Sequence, residues 1–107
     1  MIVNAQVAGA RVVAGTDTPN AANVQAELMA YVAAGMTPFE ALKTATVNSA
    51  QALGLNVGTI EAGRLADLAI VRGNPLVDIS STHRLWQTVA NGRMFTRQGL
   101  VRGAFPP

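Results

Sequence analysis

The sequence predicts a mixed α+β fold, with helices in the first half of the chain and strands in the second. Apolar side chains at helical spacing and a strong helix start at residues 37–40 indicate the helical half. The second half changes to extended patterns around Asn91-Gly92, the strongest hairpin turn signal in the chain. A short apolar run at residues 11–14 predicts one buried strand ahead of the helices.

The first helical stretches are predicted on either side of this strand. Residues 4–10 are interpreted as the end of a helix that Gly9 stops, and a longer helix is predicted over residues 23–34. From Val24, apolar side chains fall at i, i+4, i+7 and i+8, which forms one stripe along the helix. Gly35 is expected to end it because glycine adopts the left-handed conformation at helix C-termini.

A capping box predicts the start of the next helix, residues 38–45. Thr37 is the expected N-cap and Glu40 lies three residues later, so each side chain can bond the other's backbone N–H. Proline at the first helical position supports the same start. Thr46 is expected to cap a further short helix over residues 47–53.

Strands are predicted in the second half of the chain. Residues 66–71 form the first, and residues 85–90 and 93–96 form a hairpin around Asn91-Gly92. Another turn permits a short strand at residues 100–102.

Asp17 is the candidate catalytic or metal-binding residue. It follows the predicted strand, and barrel enzymes place catalytic residues at the C-terminal ends of strands. An Asp at such a place is also commonly a turn residue or a helix N-cap. The flanking Thr16 and Thr18 can orient it, contact substrate or satisfy local backbone donors. Glu27 is interpreted as a solvated helix charge.

Composition limits the possible partners. Charged residues make up 13% of the 107 residues and apolar residues 50%, so we expect apolar surface to be covered by a partner or by more of the same protein. Without cysteine there is no disulfide framework. We expect a cytoplasmic protein without membrane association, because neither a signal peptide nor a long apolar run is recognisable. The C-terminal arginines are interpreted as a solvated face, and nucleic-acid binding through them is the weaker alternative.

The chain resembles the C-terminal part of the metal-dependent amidohydrolase superfamily in three segments that follow one another, residues 8–18, 33–55 and 58–76. The resemblance depends on all three segments together and on their order. The nearest branch is the imidazolonepropionase-like and prolidase-like enzymes. The resemblance implies that residues 1–55 are the last strand and helices of a (β/α)8 metallo-hydrolase barrel. It implies that residues 56–107 are part of a small β-sandwich, the composite domain of the family.

The resemblance also implies chemistry for Asp17. The matching family aspartate contacts a divalent metal, accepts a proton from the metal-bound water and passes it to the leaving nitrogen. Zinc is the expected metal in the intact enzyme. The family holds its metals mainly with histidines on earlier barrel strands, and His83 matches none of them, so we expect it to be an exposed loop residue. We therefore expect the chain alone to bind no metal and to be inactive.

The expected function is that of the C-terminal part of an enzyme that hydrolyses C–N bonds in amides, peptides or cyclic amides. The partner would be the missing barrel portion or a second copy of the chain, and the substrate a small molecule or peptide. The alternative is a non-catalytic module that self-associates. Asp67 is prominent in the family motif and is interpreted as structural, holding the turn from Gly63 into the strand. Asn91 and Gly92 are likewise turn residues.

Overall fold

Helices occupy the first half of the chain, and an antiparallel sheet with an inserted 3₁₀ helix follows. The computed structural model describes residues 2–17, 23–96 and 98–99. The mixed helix and sheet composition predicted from the sequence is confirmed. The elements are α1 (Ile2–Val7), α2 (Asn23–Ala33), α3 (Pro38–Ala45), α4 (Val47–Leu53), β1 (Leu68–Val71), the 3₁₀ helix (Ile79–His83), β2 (Leu85–Ala90) and β3 (Arg93–Thr96).

The helix boundaries follow the local signals in most places. The predicted capping box is present: the Glu40 N–H donates to Thr37 Oγ1 at 3.2 Å, and the Thr37 N–H donates to Glu40 Oε2 at 3.1 Å. The prediction that the Thr46 side chain caps α4 is wrong. Its hydroxyl instead donates to the Leu42 carbonyl at 2.8 Å, because a threonine at the end of a helix can bond back four residues.

The sheet has the order β1-β2-β3, and both strand pairs are antiparallel. The predicted hairpin is confirmed with its predicted strand bounds, and β1 begins two residues later than predicted. Asn91 and Gly92 have φ angles of 49° and 78°, the left-handed values that a two-residue hairpin turn requires. The strand predicted at residues 100–102 lies outside the described residues.

The strand predicted at residues 11–14 is not formed. Residues 10–16 have no helix or strand assignment, and Arg11 and Val13 are exposed. A strand needs a neighbour to accept and donate its backbone hydrogen bonds. No described strand lies beside this segment, so the apolar run is extended chain and not part of a sheet.

The main core cluster joins the two halves of the molecule. Leu28 of α2 and Ala41 of α3 pack together with Met36, which lies between these helices, and with Ile79 of the 3₁₀ helix. His83, expected in a loop, ends this short helix, and the Asp78 side chain caps the helix by accepting from the Ser80 N–H at 3.0 Å. One set of contacts therefore fixes the helical half against the segment between β1 and β2.

No helix in the described part of the chain is both long and apolar enough to cross a membrane. The predicted domain boundary between residues 55 and 56 stays a prediction.

Candidate functional site

The candidate site lies at the end of residues 10–17, here called the Asp17 segment. Asp17 is exposed and has a φ angle of 55°, in the left-handed region that non-glycine residues seldom adopt. Asp is among the residue types that tolerate this conformation best. The carboxylate is thus presented to solvent at a sharp change in chain direction.

Hydrogen bonds to α3 and α4 hold the Asp17 segment in place. The Asn48 side chain of α4 donates from Nδ2 to the Val12 carbonyl at 3.0 Å. The Ala14 N–H donates to the carbonyl of Thr44 in α3, also at 3.0 Å. These contacts satisfy backbone groups that a neighbouring strand would otherwise satisfy.

Tyr31 of α2 packs against the core cluster, near Glu27 and the end of the Asp17 segment. Burial raises the pKa of the Tyr31 phenol, and so does the neighbouring Glu27 carboxylate, whereas the backbone N–H of Gly15 opposes the rise. Glu27 is half-buried beside this phenol, so its interpretation as a solvated helix charge is corrected. The spacing of four residues places both side chains on one helix face.

The turn residues named from the sequence gather at one end of the sheet. Asp67 Oδ1 accepts from the Asn91 N–H at 2.7 Å, and the Gly92 N–H donates to the Ala66 carbonyl at 3.0 Å. The carboxylate of Asp67 thus holds the hairpin turn. The Gly63 carbonyl instead accepts from Asn56 Nδ2 at 2.9 Å.

The described residues do not by themselves fit a metal site. Among them, no three histidine, cysteine, aspartate or glutamate residues lie close enough to hold a metal ion. A catalytic zinc site needs three protein ligands. His83 ends the 3₁₀ helix and is exposed. The catalytic and metal-binding roles of Asp17 stay predictions.

A groove of about 420 Å³ opens between the helices and the sheet. Apolar side chains of α2, α3, β1 and β2 line most of it, among them Leu28, Leu42, Leu68 and Leu85. Asp17 is not among its lining residues. The groove and the candidate carboxylate are therefore separate features.

Comparison with known proteins places this chain in a family. The profile described as "Amidohydrolase family" matches residues 2–96. The chain belongs to the amidohydrolase family. Members of the family are generally metal-dependent, and the matched range includes Asp17 and all the turn residues discussed above.

Three curated relatives are similar in sequence to this chain. The chain is 40% identical to adenine deaminase 4 of Rhizobium meliloti over 79 residues, which cover 71% of the chain and 12% of the relative. It is 58% identical to the imidazolonepropionase of Sphingopyxis alaskensis over 38 residues, 34% of the chain and 9% of the relative. It is 34% identical to ochratoxinase of Aspergillus niger over 104 residues, 87% of the chain and 21% of the relative.

Solved structures resemble the fold as a whole. The crystal structure of A. niger ochratoxinase matches with a TM-score of 0.80 at 31% identity, over 90% of this chain and 24% of that one. A Xaa-Pro dipeptidase with bound methionine matches with a TM-score of 0.65 at 34% identity, over 67% of this chain and 18% of that one. The chain therefore spans about a quarter or less of the length of these relatives.

Tyr31 and Asn48 are not singled out by the sequence. Tyr31 falls at i+7 of the apolar stripe of α2, and its hydroxyl carries no signal in a pattern of apolar positions. Asn48 did carry one, since asparagine is a poor helix former and lies inside a seven-residue helix. Only the tertiary structure shows that its amide reaches Val12.

Proposed function

We propose that these residues form the C-terminal part of a metal-dependent amidohydrolase that hydrolyses C–N bonds in amides, peptides or cyclic amides. The observation that carries the proposal is the match to ochratoxinase, which extends over 90% of the chain and only 24% of the enzyme. The chain would then be the last strand and helices of a barrel, followed by part of the accessory sheet. The Asp17 segment is extended chain outside the described sheet, which is compatible with a place beside strands supplied by the rest of the enzyme.

Asp17 is the proposed catalytic carboxylate. It would take a proton from the attacking water and deliver it to the leaving nitrogen, which a carboxylate can do as general base and then general acid. Its exposure at the end of the segment leaves the carboxylate free to reach a substrate. The metal, proposed to be zinc, would be held mainly by side chains outside this chain, because the described residues do not form a ligand set. The 107 residues alone are proposed to be inactive.

A graft tests this function. The matching C-terminal segment of A. niger ochratoxinase would be replaced by this chain, and hydrolysis and metal content would be measured. We expect the graft to be active and Asp17→Asn to lower kcat by about 10²- to 10⁴-fold, as loss of a general acid–base group does. Asp78→Asn is the matched control, since it makes the same change at an exposed acid and asparagine still caps the 3₁₀ helix. An active Asp17→Asn graft would refute the role of Asp17.

Self-association is the second candidate function. Several large apolar side chains are exposed, with Ile60 at 88% and Val77 at 80% of their full accessibility. An apolar surface of this kind favours burial against another chain. Light scattering after gel filtration of the isolated 107 residues over a range of concentrations tests it. A discrete oligomer without stoichiometric metal supports the self-associating module, and a monomer at every concentration contradicts it.

The predicted cytoplasmic location stays a prediction.

A further inference from the structure

The turn between β2 and β3 contains a chemically reactive pair of residues. Asn91-Gly92 is the one place in the sequence where asparagine precedes glycine, and both residues are exposed. In such a pair the backbone nitrogen of the glycine can attack the side-chain amide carbon of the asparagine, because glycine has no side chain to hinder the approach. Asparagine is accordingly among the thermolabile residues of proteins. The hairpin turn is therefore a candidate site for spontaneous deamidation.

The reaction at this pair needs only water as a co-reactant. The Gly92 nitrogen gives up its proton to water and bonds to Asn91 Cγ, while the Cγ–Nδ2 bond breaks and ammonia leaves with a proton that water returns. Water then opens the cyclic succinimide. Cleavage between Cγ and the ring nitrogen yields aspartate, and cleavage between the Asn91 carbonyl carbon and the ring nitrogen yields isoaspartate. The chain thus exchanges ammonia for water without oxidation or reduction.

The folded turn engages the nitrogen that must attack. The Gly92 N–H donates to the Ala66 carbonyl at 3.0 Å, so loss of its proton breaks this hydrogen bond, and so does rotation of its peptide plane toward Cγ. The peptide plane before Asn91 is held as well, since the Asn91 N–H donates to Asp67 Oδ1 at 2.7 Å. Two consecutive residues before β1 therefore hold both peptide groups of Asn91.

The charge of Asp67 acts in the same direction as its hydrogen bond. The attacking nitrogen is negative once it has lost its proton, and a second negative charge beside a carboxylate is unfavourable. The bond from the Asn91 N–H to this carboxylate is charge-assisted, which makes it stronger than a bond between neutral groups. Because Asp67 is exposed, salt screens the repulsion, and the hydrogen bond is the larger of the two effects.

We propose that Asn91 is a deamidation site that the folded hairpin turn protects, and that Asp67 is the side chain that slows the reaction. The inference goes beyond the proposed hydrolase function and does not depend on it. Isoaspartate would add a main-chain carbon to a turn whose length fixes the register of β2 against β3. Aspartate would place a second carboxylate next to Asp67. Either product weakens the hairpin, so the bonds that hold the turn also preserve its chemistry.

Peptide mapping of the 107-residue chain tests the proposal. The chain is incubated at neutral pH in native buffer and in guanidinium chloride and is then digested with trypsin. Mass spectrometry of the peptide of residues 85–93 distinguishes the Asn91 amide from its carboxylate products. We expect Asn91 to react about 100-fold faster in the unfolded chain, the factor of two hydrogen bonds. In folded Asp67→Ala we expect a rise of about tenfold, the factor of one.

Two further variants serve as controls. Asp67→Asn keeps an oxygen that can accept from the Asn91 N–H, so we expect its rate to be closer to that of the original chain than to that of Asp67→Ala. Thr37→Ala also removes a side-chain oxygen that accepts from a backbone N–H, but at the start of α3. We expect its Asn91 rate to equal that of the original chain. In guanidinium chloride all four chains should react equally.

The outcomes separate the parts of the proposal. Equal rates in the original chain and in Asp67→Ala, both shown to be folded by circular dichroism, would overturn the role of Asp67. An equal rise in Thr37→Ala would do the same, since general destabilisation would then account for it. Equal rates with and without denaturant would refute protection by the turn, and an unreactive Asn91 in both would refute the site. Should Asp67→Ala not fold, Asp67→Ser decides, because its side chain is one bond shorter.

Discussion

The hairpin of β2 and β3 and the Asp17 segment are both extended chain, yet they are held in opposite ways. The two hairpin strands pair with each other across a turn of two residues, and the turn residues are visible in the sequence. The Asp17 segment has no strand partner among the described residues and is hydrogen-bonded to two helices, α3 and α4. Extended structure is therefore predictable where its partner is local, and depends on distant residues where it is not.

The largest expected effect concerns Gly58, which approaches the helix that also holds the Asp17 segment. Gly58 has a φ of 97°, and an added Cβ would lie 2.9 Å from Ala50 Cβ and from the Thr46 carbonyl oxygen. We expect Gly58→Ala to lower the free energy of unfolding by about 2–4 kcal/mol, from the left-handed backbone and the steric overlap together. Urea denaturation measures this.

Gly63→Ala is its control. Gly63 also has a positive φ, 88°, but an added Cβ there meets nothing within 4 Å. It should therefore cost only the backbone term, about 1–2 kcal/mol. Equal destabilisation of the two variants would show that the close approach of Gly58 to α4 does not contribute.

A smaller effect is expected when the hairpin turn loses its hydrogen bond to Asp67, the residue before β1. Asp67→Ala removes the acceptor for the Asn91 N–H at 2.7 Å, and we expect a loss of about 1 kcal/mol in unfolding free energy, because both groups are exposed to water. Asp67→Asn should retain most of the stability, since an amide oxygen can accept the same bond. Amide spectra should change in the hairpin and not at Gly15. A change at Gly15 would contradict the independence of the two regions.

The smallest effect is a pH dependence of stability that comes from Tyr31 of α2, next to the Asp17 segment. Burial and the neighbouring Glu27 carboxylate raise the pKa of Tyr31 above its ordinary value of 10.0. A group with a raised pKa in the folded state contributes stability that is fully present below its unfolded pKa and is lost as pH rises through the folded one. We expect stability to fall above pH 10 more steeply in the original chain than in Tyr31→Phe. Urea midpoints measured across this range test it, and parallel curves would contradict it.

Much of the helical half and the hairpin could be predicted because their signals are local. Thr37 and Glu40 are three residues apart and bond each other, so the start of α3 depends on no distant contact. The apolar run at residues 11–14 has the composition of a buried strand, but composition does not supply a neighbouring strand. Thr46 is likewise a residue type that caps helices. Its hydroxyl instead donates to the Leu42 carbonyl, because Thr46 also ends the preceding helix, α3.

By itself, the sequence determined the order of helices before strands, the capping box, the Asn91-Gly92 hairpin and the resemblance to amidohydrolases. Each depends on residues close together in the chain or on a motif of consecutive residues. Only the tertiary structure decided that Asn48 bonds the Asp17 segment, that Asp67 bonds the hairpin turn, and that Ile79 completes the core of the helices. These contacts join residues that are distant in sequence, and a hydrogen bond or apolar contact depends on distance in space.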